Sequence, residues 1–117
     1  MKKIYYLKTC STCIRIMKEI GVDETWERQN IKTENLTPAQ VNEIYAQTNS
    51  YEAIFSKKAM KYKALGLKEI IKKDEDYRQY ILDEYTFLSR PVIQIDGKFY
   101  IGNSKKNIEE VKSVLGI

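Results

Sequence analysis

Two cysteines, Cys10 and Cys13, stand three positions apart in the segment Leu7-Lys8-Thr9-Cys10-Ser11-Thr12-Cys13. The apolar run Ile4-Tyr5-Tyr6-Leu7 precedes them and a helix-patterned stretch follows, so Cys10 is predicted at a strand-to-helix turn. Amide N–H groups at a helix start lack backbone partners and carry partial positive charge. They favour thiolate over thiol and can lower a cysteine pKa from about 8.5 to roughly 3.5–7.5. Cys10 is therefore the candidate nucleophile. Cys13, one helical turn along, falls on the same face, where it can attack a mixed disulfide formed at Cys10. A zinc site would take about four ligands, and with no His and no third Cys in the chain no metal is expected. The same pair could also be two small buried thiols packed without redox use.

The chain around this pair has 117 residues, enough for one compact domain, and 43% hydrophobic with 31% charged residues suits a globular chain with a core. No apolar stretch approaches the roughly 18 residues of a membrane span, and no signal-peptide core follows the two lysines at the start. A cytoplasmic protein is expected, in a reducing compartment where the cysteines stay available for turnover rather than serving as a scaffold. A net charge of +4 is too mild to imply direct nucleic-acid binding by itself. The lysine pairs at 57–58, 61–63, 72–73 and 105–106 read mainly as solvated helix faces, with an oxyanion or an acidic protein as the partners such surfaces would attract.

Elements that would position the thiols follow from spacing. Ile14, Met17 and Ile20 form an apolar stripe on a first helix that Gly21 would stop as a left-handed cap. A second strand is expected over Thr25 to Ile31. Thr37-Pro38 opens a second helix with Val41, Ile44 and Tyr45 inward, ending near Thr48-Asn49-Ser50. One short helix is expected between Tyr51 and Leu67, stopped by Gly66. A further helix capped by Asp74 would place Tyr77, Tyr80, Ile81 and Leu88 on one face until Arg90-Pro91 breaks it. Two strands, Val92–Ile95 and Lys98–Ile101, flank Asp96-Gly97, a type I′ hairpin signal, and a last helix starts at Ser104 with Ile108, Val111 and Leu115 inward. The order β-α-β-α-α-α-β-β-α resolves into a four-stranded mixed sheet with flanking helices, because the opening βαβ demands a parallel pair and the hairpin adds antiparallel strands. This is an α/β, thioredoxin-like architecture: one domain over residues 1–117 with a helical lobe inserted at about 37–88.

The segment from Leu7 to Cys13, with Glu27-Arg28-Gln29-Asn30-Ile31, Ile54-Phe55-Ser56, Tyr62-Lys63-Ala64-Leu65-Gly66-Leu67 and Phe87-Leu88-Ser89-Arg90-Pro91-Val92, resembles the ArsC/Spx family in residues and order. The resemblance runs over nearly the whole chain, to Ile101-Gly102-Asn103. That family holds glutaredoxin-linked arsenate reductases, Spx regulators of RNA polymerase, and relatives without assigned activity. The resemblance implies that Cys10 is the reactive cysteine and Pro91 the cis-proline beside it. It also implies that Arg90 holds an oxyanion, with Ser11 and Thr12 contributing to the substrate site. The leading expectation is an arsenate reductase that binds no cofactor and draws electrons from glutathione, glutaredoxin or thioredoxin.

Two features depart from the reductases. Their further arginines fall here at Ser56 and near Gly102, which removes charge-assisted contacts of about 1.5–3 kcal/mol each, with Lys57 and Lys58 as partial point-charge substitutes. The paired cysteines are the Spx-type arrangement, so the alternative is a redox switch whose Cys10–Cys13 disulfide alters a surface that binds RNA polymerase. Against that reading, the segment Thr48-Asn49-Ser50-Tyr51-Glu52 lacks the glycine Spx uses there, leaving Tyr51 as either an exposed anchor or a packed lobe residue.

Overall fold

The computed structural model describes residues 1–117 and divides them into two compact units, residues 1–34 with 90–117, and residues 35–89. The first unit carries the sheet. β1 (Lys2–Tyr6) lies between β2 (Glu27–Asn30) and β3 (Val92–Ile95), with β4 (Lys98–Ile101) beyond, in the order β2-β1-β3-β4. β1 runs parallel to β2 and antiparallel to β3, which pairs antiparallel with β4. This is the expected mixed sheet of a thioredoxin-like fold. Asp96 and Gly97 both take positive φ, 48° and 88°, as a type I′ turn requires.

Register places Ile4 opposite Ile93 and Ile93 opposite Tyr100, an apolar row across three strands. Against it pack α1 (Ser11–Glu19) through Ile16 and Ile20, α6 (Lys105–Leu115) through Ile108 and Val111, and Trp26 from the loop before β2. Both helices end where their glycines allow a left-handed turn: Gly21 has φ 75° and Gly116 φ 76°. The inward stripe of α1 differs from Ile14, Met17 and Ile20. Cys13, Ile16 and Ile20 are the buried set, while Ile14 and Met17 are half-buried. A helix buries positions at i, i+3 and i+7, and the small Cys13 thiol takes the place that the spacing of larger residues gave to Ile14. β2 is shorter than Thr25–Ile31. It is an edge strand in which only Gln29 is buried, and its Nε2 donates to the Glu34 carbonyl at 3.0 Å.

Residues 35–89 form the helical unit. α2 (Pro38–Thr48) begins on a reciprocal cap: the Thr37 hydroxyl accepts from the Gln40 N–H at 3.2 Å, and the Gln40 side chain accepts from the Thr37 N–H at 3.0 Å. Thr37→Ala should therefore lower the unfolding free energy by about 1 kcal/mol, read as a shift of the urea midpoint without a change in slope. Val41 and Ile44 face inward, whereas Tyr45 is half-buried and stacks on Tyr51 with centroids 4.1 Å apart. Tyr51 is thus a packed residue of this unit.

The stretch after Tyr51 does not hold one helix. A 3₁₀ turn (Glu52–Ile54) leads to α3 (Met60–Ala64) and α4 (Leu67–Ile70), which meet at Gly66 with φ 63°. Asp74 does not cap the helix after it. Its carboxylate accepts from the N–H groups of Tyr51 and Glu52, both at 2.9 Å, and so caps the 3₁₀ turn 22 residues upstream. α5 (Tyr77–Asp83) ends before Leu88, because a 3₁₀ turn (Tyr85–Phe87) redirects the chain. Leu88 then pairs with Phe55 in a short antiparallel bridge, flanked by Ser56 N–H donating to Phe87 at 2.7 Å and Ser89 N–H to Ile54 at 2.8 Å. Phe55 stacks on Phe87, centroids 5.0 Å apart, and tilts against Tyr77 at 4.8 Å, the aromatic centre of this unit. No helix is long and apolar enough to cross a membrane.

Candidate active site

The site lies in the sheet-bearing unit and is assembled from the loop after β1, the first turn of α1 and the residues entering β3. Cys10 is the N-cap of α1, in extended conformation (φ −90°, ψ 111°), with its carbonyl accepting from Ile14 N–H at 3.1 Å. Its own N–H donates to the Leu7 carbonyl at 3.0 Å, closing the turn that lifts the chain from strand to helix. Ser11 is exposed and Thr12 half-buried in the first helical turn, where backbone N–H groups have no helical partner. Ser11 and Thr12, which the resemblance implies would contact substrate, therefore sit at the positive end of α1.

Asn30, named above only as part of a family segment and given no role at the site, also shapes this loop. From the end of β2 its Oδ1 accepts long hydrogen bonds from the Lys8 and Lys32 N–H groups, both 3.4 Å. An asparagine closing a strand, beside a loop of otherwise charged and small residues, was the available signal.

The two thiols have opposite characters. Cys10 is half-buried and Cys13 fully buried, and both are reduced. Burial by itself would raise the Cys10 pKa. The Cys13 N–H, the Cys13 thiol and the Arg90 guanidinium all face its sulfur, however, and together hold it below the ordinary thiol value. No well-aligned bond caps the helix from the Cys10 side chain, so the Cys13 N–H acts on the sulfur mainly as an oriented dipole. At Cys13 burial dominates and the adjacent Cys10 charge adds to it, pushing its pKa up to about 11 despite a backbone hydrogen bond from Leu7. The first proton lost by the pair leaves Cys10, and Cys13 retains its own as a donor to the thiolate.

This arrangement has a consequence for stability. A thiol whose folded pKa lies above its unfolded value of 9.0 contributes fully below that value and loses its contribution as pH rises toward about 11. Cys10 has the opposite sign: its contribution is complete above its unfolded pKa and fades as pH falls through the folded one. Between about pH 9 and 11 the Cys10 contribution is constant, so the wild type should lose on the order of 2 kcal/mol more than Cys13→Ala over that window. Urea unfolding of both proteins across the range measures the difference.

Arg90 is half-buried, and the Arg90–Pro91 peptide is cis. Pro91 is buried, and its carbonyl accepts from Gly102 N–H at 2.9 Å, which brings the loop after β4 alongside the residue next to Arg90. Gly102 has φ 93°, a conformation L residues rarely adopt, so an arginine at that position would be strained. Ser56 belongs to the helical unit, where Lys57 is already held by Glu52 and lies over the Tyr77 ring. Cys10, Cys13 and Arg90 are thus brought together within one unit, with Ser11, Thr12 and Pro91 next to them in the chain. No group of three or more His, Cys, Asp or Glu side chains is arranged to hold a metal ion.

The ArsC family profile matches residues 5–111, a span that includes every residue of this site. An arsenate reductase from Vibrio cholerae is similar in structure at a TM-score of 0.73, with 16% identity over 94% of this chain and 96% of that one. An arsenate reductase related protein from Brucella melitensis superposes at 0.68, with 20% identity and 93% and 92% of the two chains covered. A Staphylococcus aureus protein superposes at 0.71, with 24% identity over 94% and 97%. No curated protein matches the chain in sequence. At such identities the structural likeness is one of fold, and it is the profile match across both cysteines and the Arg90–Pro91 turn that decides membership: this chain belongs to the ArsC family.

Proposed function

We propose that this chain is a thiol-dependent oxidoreductase that reduces an oxyanion, with arsenate as the leading substrate and Cys10 as the nucleophile. The observation that carries the reading is the Cys10 sulfur, acidified at the start of α1 with the Arg90 guanidinium against it. In the reaction the Cys10 thiolate displaces an oxygen of arsenate, which leaves as water after protonation, and an S–As(V) bond forms. A second thiol then attacks the Cys10 sulfur, and the S–As electron pair passes to arsenic, which departs as arsenite. The two sulfurs supply the two electrons and are left joined as a disulfide. Arg90 and the amides of Ser11 and Thr12 balance the negative charge gathered beside sulfur.

The second thiol is best supplied from outside, by glutathione. Cys13 is fully buried, and burial, the largest cause of its raised pKa, persists when Cys10 is bound in an adduct, so near neutrality it presents little thiolate and little access for attack. Glutaredoxin or thioredoxin would then reduce the mixed disulfide, in the reducing cytoplasm where these donors act.

One observation favours a second reading, a redox switch of the Spx kind. The Cys10 and Cys13 thiols are hydrogen-bonding neighbours, close enough for a disulfide that could alter a surface for RNA polymerase. Glutaredoxin-coupled arsenate reduction and iodoacetamide labelling of Cys10, each measured on wild type and Cys13→Ser, separate the two. Arsenate-dependent turnover that survives Cys13→Ser, with Cys10 protected from alkylation by arsenate, supports the reductase. No turnover and no anion protection, with a loss of about 2 Da on mild oxidation that Cys13→Ser abolishes, would replace it by the switch.

A further inference from the structure

We infer that the lysine-rich surface of α3 is a docking site for an acidic, amphipathic segment of a partner protein. Of the six large apolar side chains the chain exposes, Met1, Val114 and Ile117 lie in the first residue and the last four, and the other three, Met60 at 89%, Leu65 at 54% and Ile70 at 54%, fall within eleven residues of each other. Residues 57–73 also hold seven lysines against one acidic residue, Glu69. Lys57, Lys61 and Lys73 are engaged by Glu52, Glu84 and Glu75, whereas Lys58, Lys63 and Lys68 make no ion pair. An open hollow of about 560 Å³ lies here, lined by Lys57, Lys58, Ala59, Met60, Lys63 and Ala64. Its lining combines two alanines and the exposed Met60 with three lysines.

Charge decides the occupant. A surface that gains from covering the exposed Met60 and gains from carboxylates near its lysines fits a segment carrying Asp and Glu around one or two apolar anchors. Methionine suits such a surface because its unbranched side chain adapts to the group placed on it. Nucleic acid is disfavoured. Residues 57–73 contain no arginine, and the one aromatic ring, Tyr62, is half-buried with its edge against Phe55 at 5.7 Å, which removes it as a stacking platform. An anionic membrane is disfavoured too, since α3 spans only five residues and offers no continuous apolar face to insert.

The test uses the full chain and a fluorescein-labelled synthetic peptide of about 15 residues, with Leu and Phe at helical spacing among Glu and Asp. Fluorescence anisotropy should show binding that weakens about tenfold between roughly 50 and 300 mM NaCl. Lys58→Glu with Lys63→Glu should weaken it at least about tenfold, and Met60→Ser at least about threefold. These side chains face solvent, so the variants should keep the wild-type circular dichroism. Amide shifts on titrating wild type with the peptide should centre on residues 57–65. The inference is overturned by equal binding of a peptide with Ser in place of Leu and Phe, or by shifts centred elsewhere. Tighter binding of a single-stranded oligonucleotide or of phosphatidylserine vesicles, or no binding at all, would also overturn it.

Discussion

Cys10→Ser is expected to lower glutaredoxin-coupled arsenate reduction by at least about 10³-fold while leaving the fold intact or slightly more stable. The two effects are separable because Cys10 does two jobs at one position. Chemically it supplies the more acidic thiol of the pair, its pKa held below the ordinary value by the Cys13 N–H, the Cys13 thiol and Arg90 while burial pushes the Cys13 thiol up to about 11. A serine hydroxyl ionises far above any working pH and cannot form the bond to arsenic. Structurally Cys10 is the N-cap of α1, where its own side chain makes no capping bond. Serine is among the best residues for that position, so the variant should gain up to about 1 kcal/mol in urea unfolding as it loses turnover. Loss of activity together with a marked fall in stability would show that the thiol serves packing, and retained activity would remove Cys10 from the chemistry.

Removal of the Arg90 guanidinium should cost the next largest factor, about 10²–10³ in turnover for Arg90→Ala. The same substitution should move the Cys10 alkylation profile to higher pH. A positive charge beside a thiol favours its ionised form, so taking the charge away raises the pKa and slows alkylation at pH 7. Arg90→Lys should restore much of the alkylation profile, because it restores the charge. It should leave turnover well below wild type, because a single ammonium group cannot hold an oxyanion through two parallel N–H donors. If the reductases' further arginines correspond to Ser56 and a position near Gly102, as the family resemblance implies, Arg90 would carry a larger share of the proposed anion contact. That is a reason to expect weak arsenate binding, seen as a high KM, even where Cys10 is fully competent.

The local rules that were legible in the sequence are those in which neighbouring residues set the outcome. The Asp96-Gly97 turn, the Thr37-Pro38 helix start, the glycine stop at Gly21 and the Ser104 cap, whose hydroxyl accepts from Asn107 N–H at 3.1 Å, all stand where the residue types put them. The misreadings share a different cause. Asp74 had the type and position of a helix cap, but its carboxylate was claimed by the Tyr51 and Glu52 amides, distant in sequence and close in space. Leu88 fitted the helical spacing of Tyr77 and Ile81, yet the backbone pairing with Phe55 drew it out of the helix. A side chain or a strand edge satisfied by a distant partner leaves no trace in local spacing.

The candidate site divides along the same line. The sequence by itself determined that a thiol would sit at the start of a helix, because an apolar strand, a tight turn and a helix former follow one another within about a dozen residues, and the helix-end field acts over that same short range. Only the tertiary structure decided which thiol is the more acidic. Packing of α1 on the sheet turns Cys13 into the core and keeps its proton in place, and the return of the chain at Arg90–Pro91 sets a guanidinium beside Cys10 from 80 residues away. Burial and charge proximity are properties of assembled surfaces, and they exist only once strands and helices far apart in the chain have closed on one another.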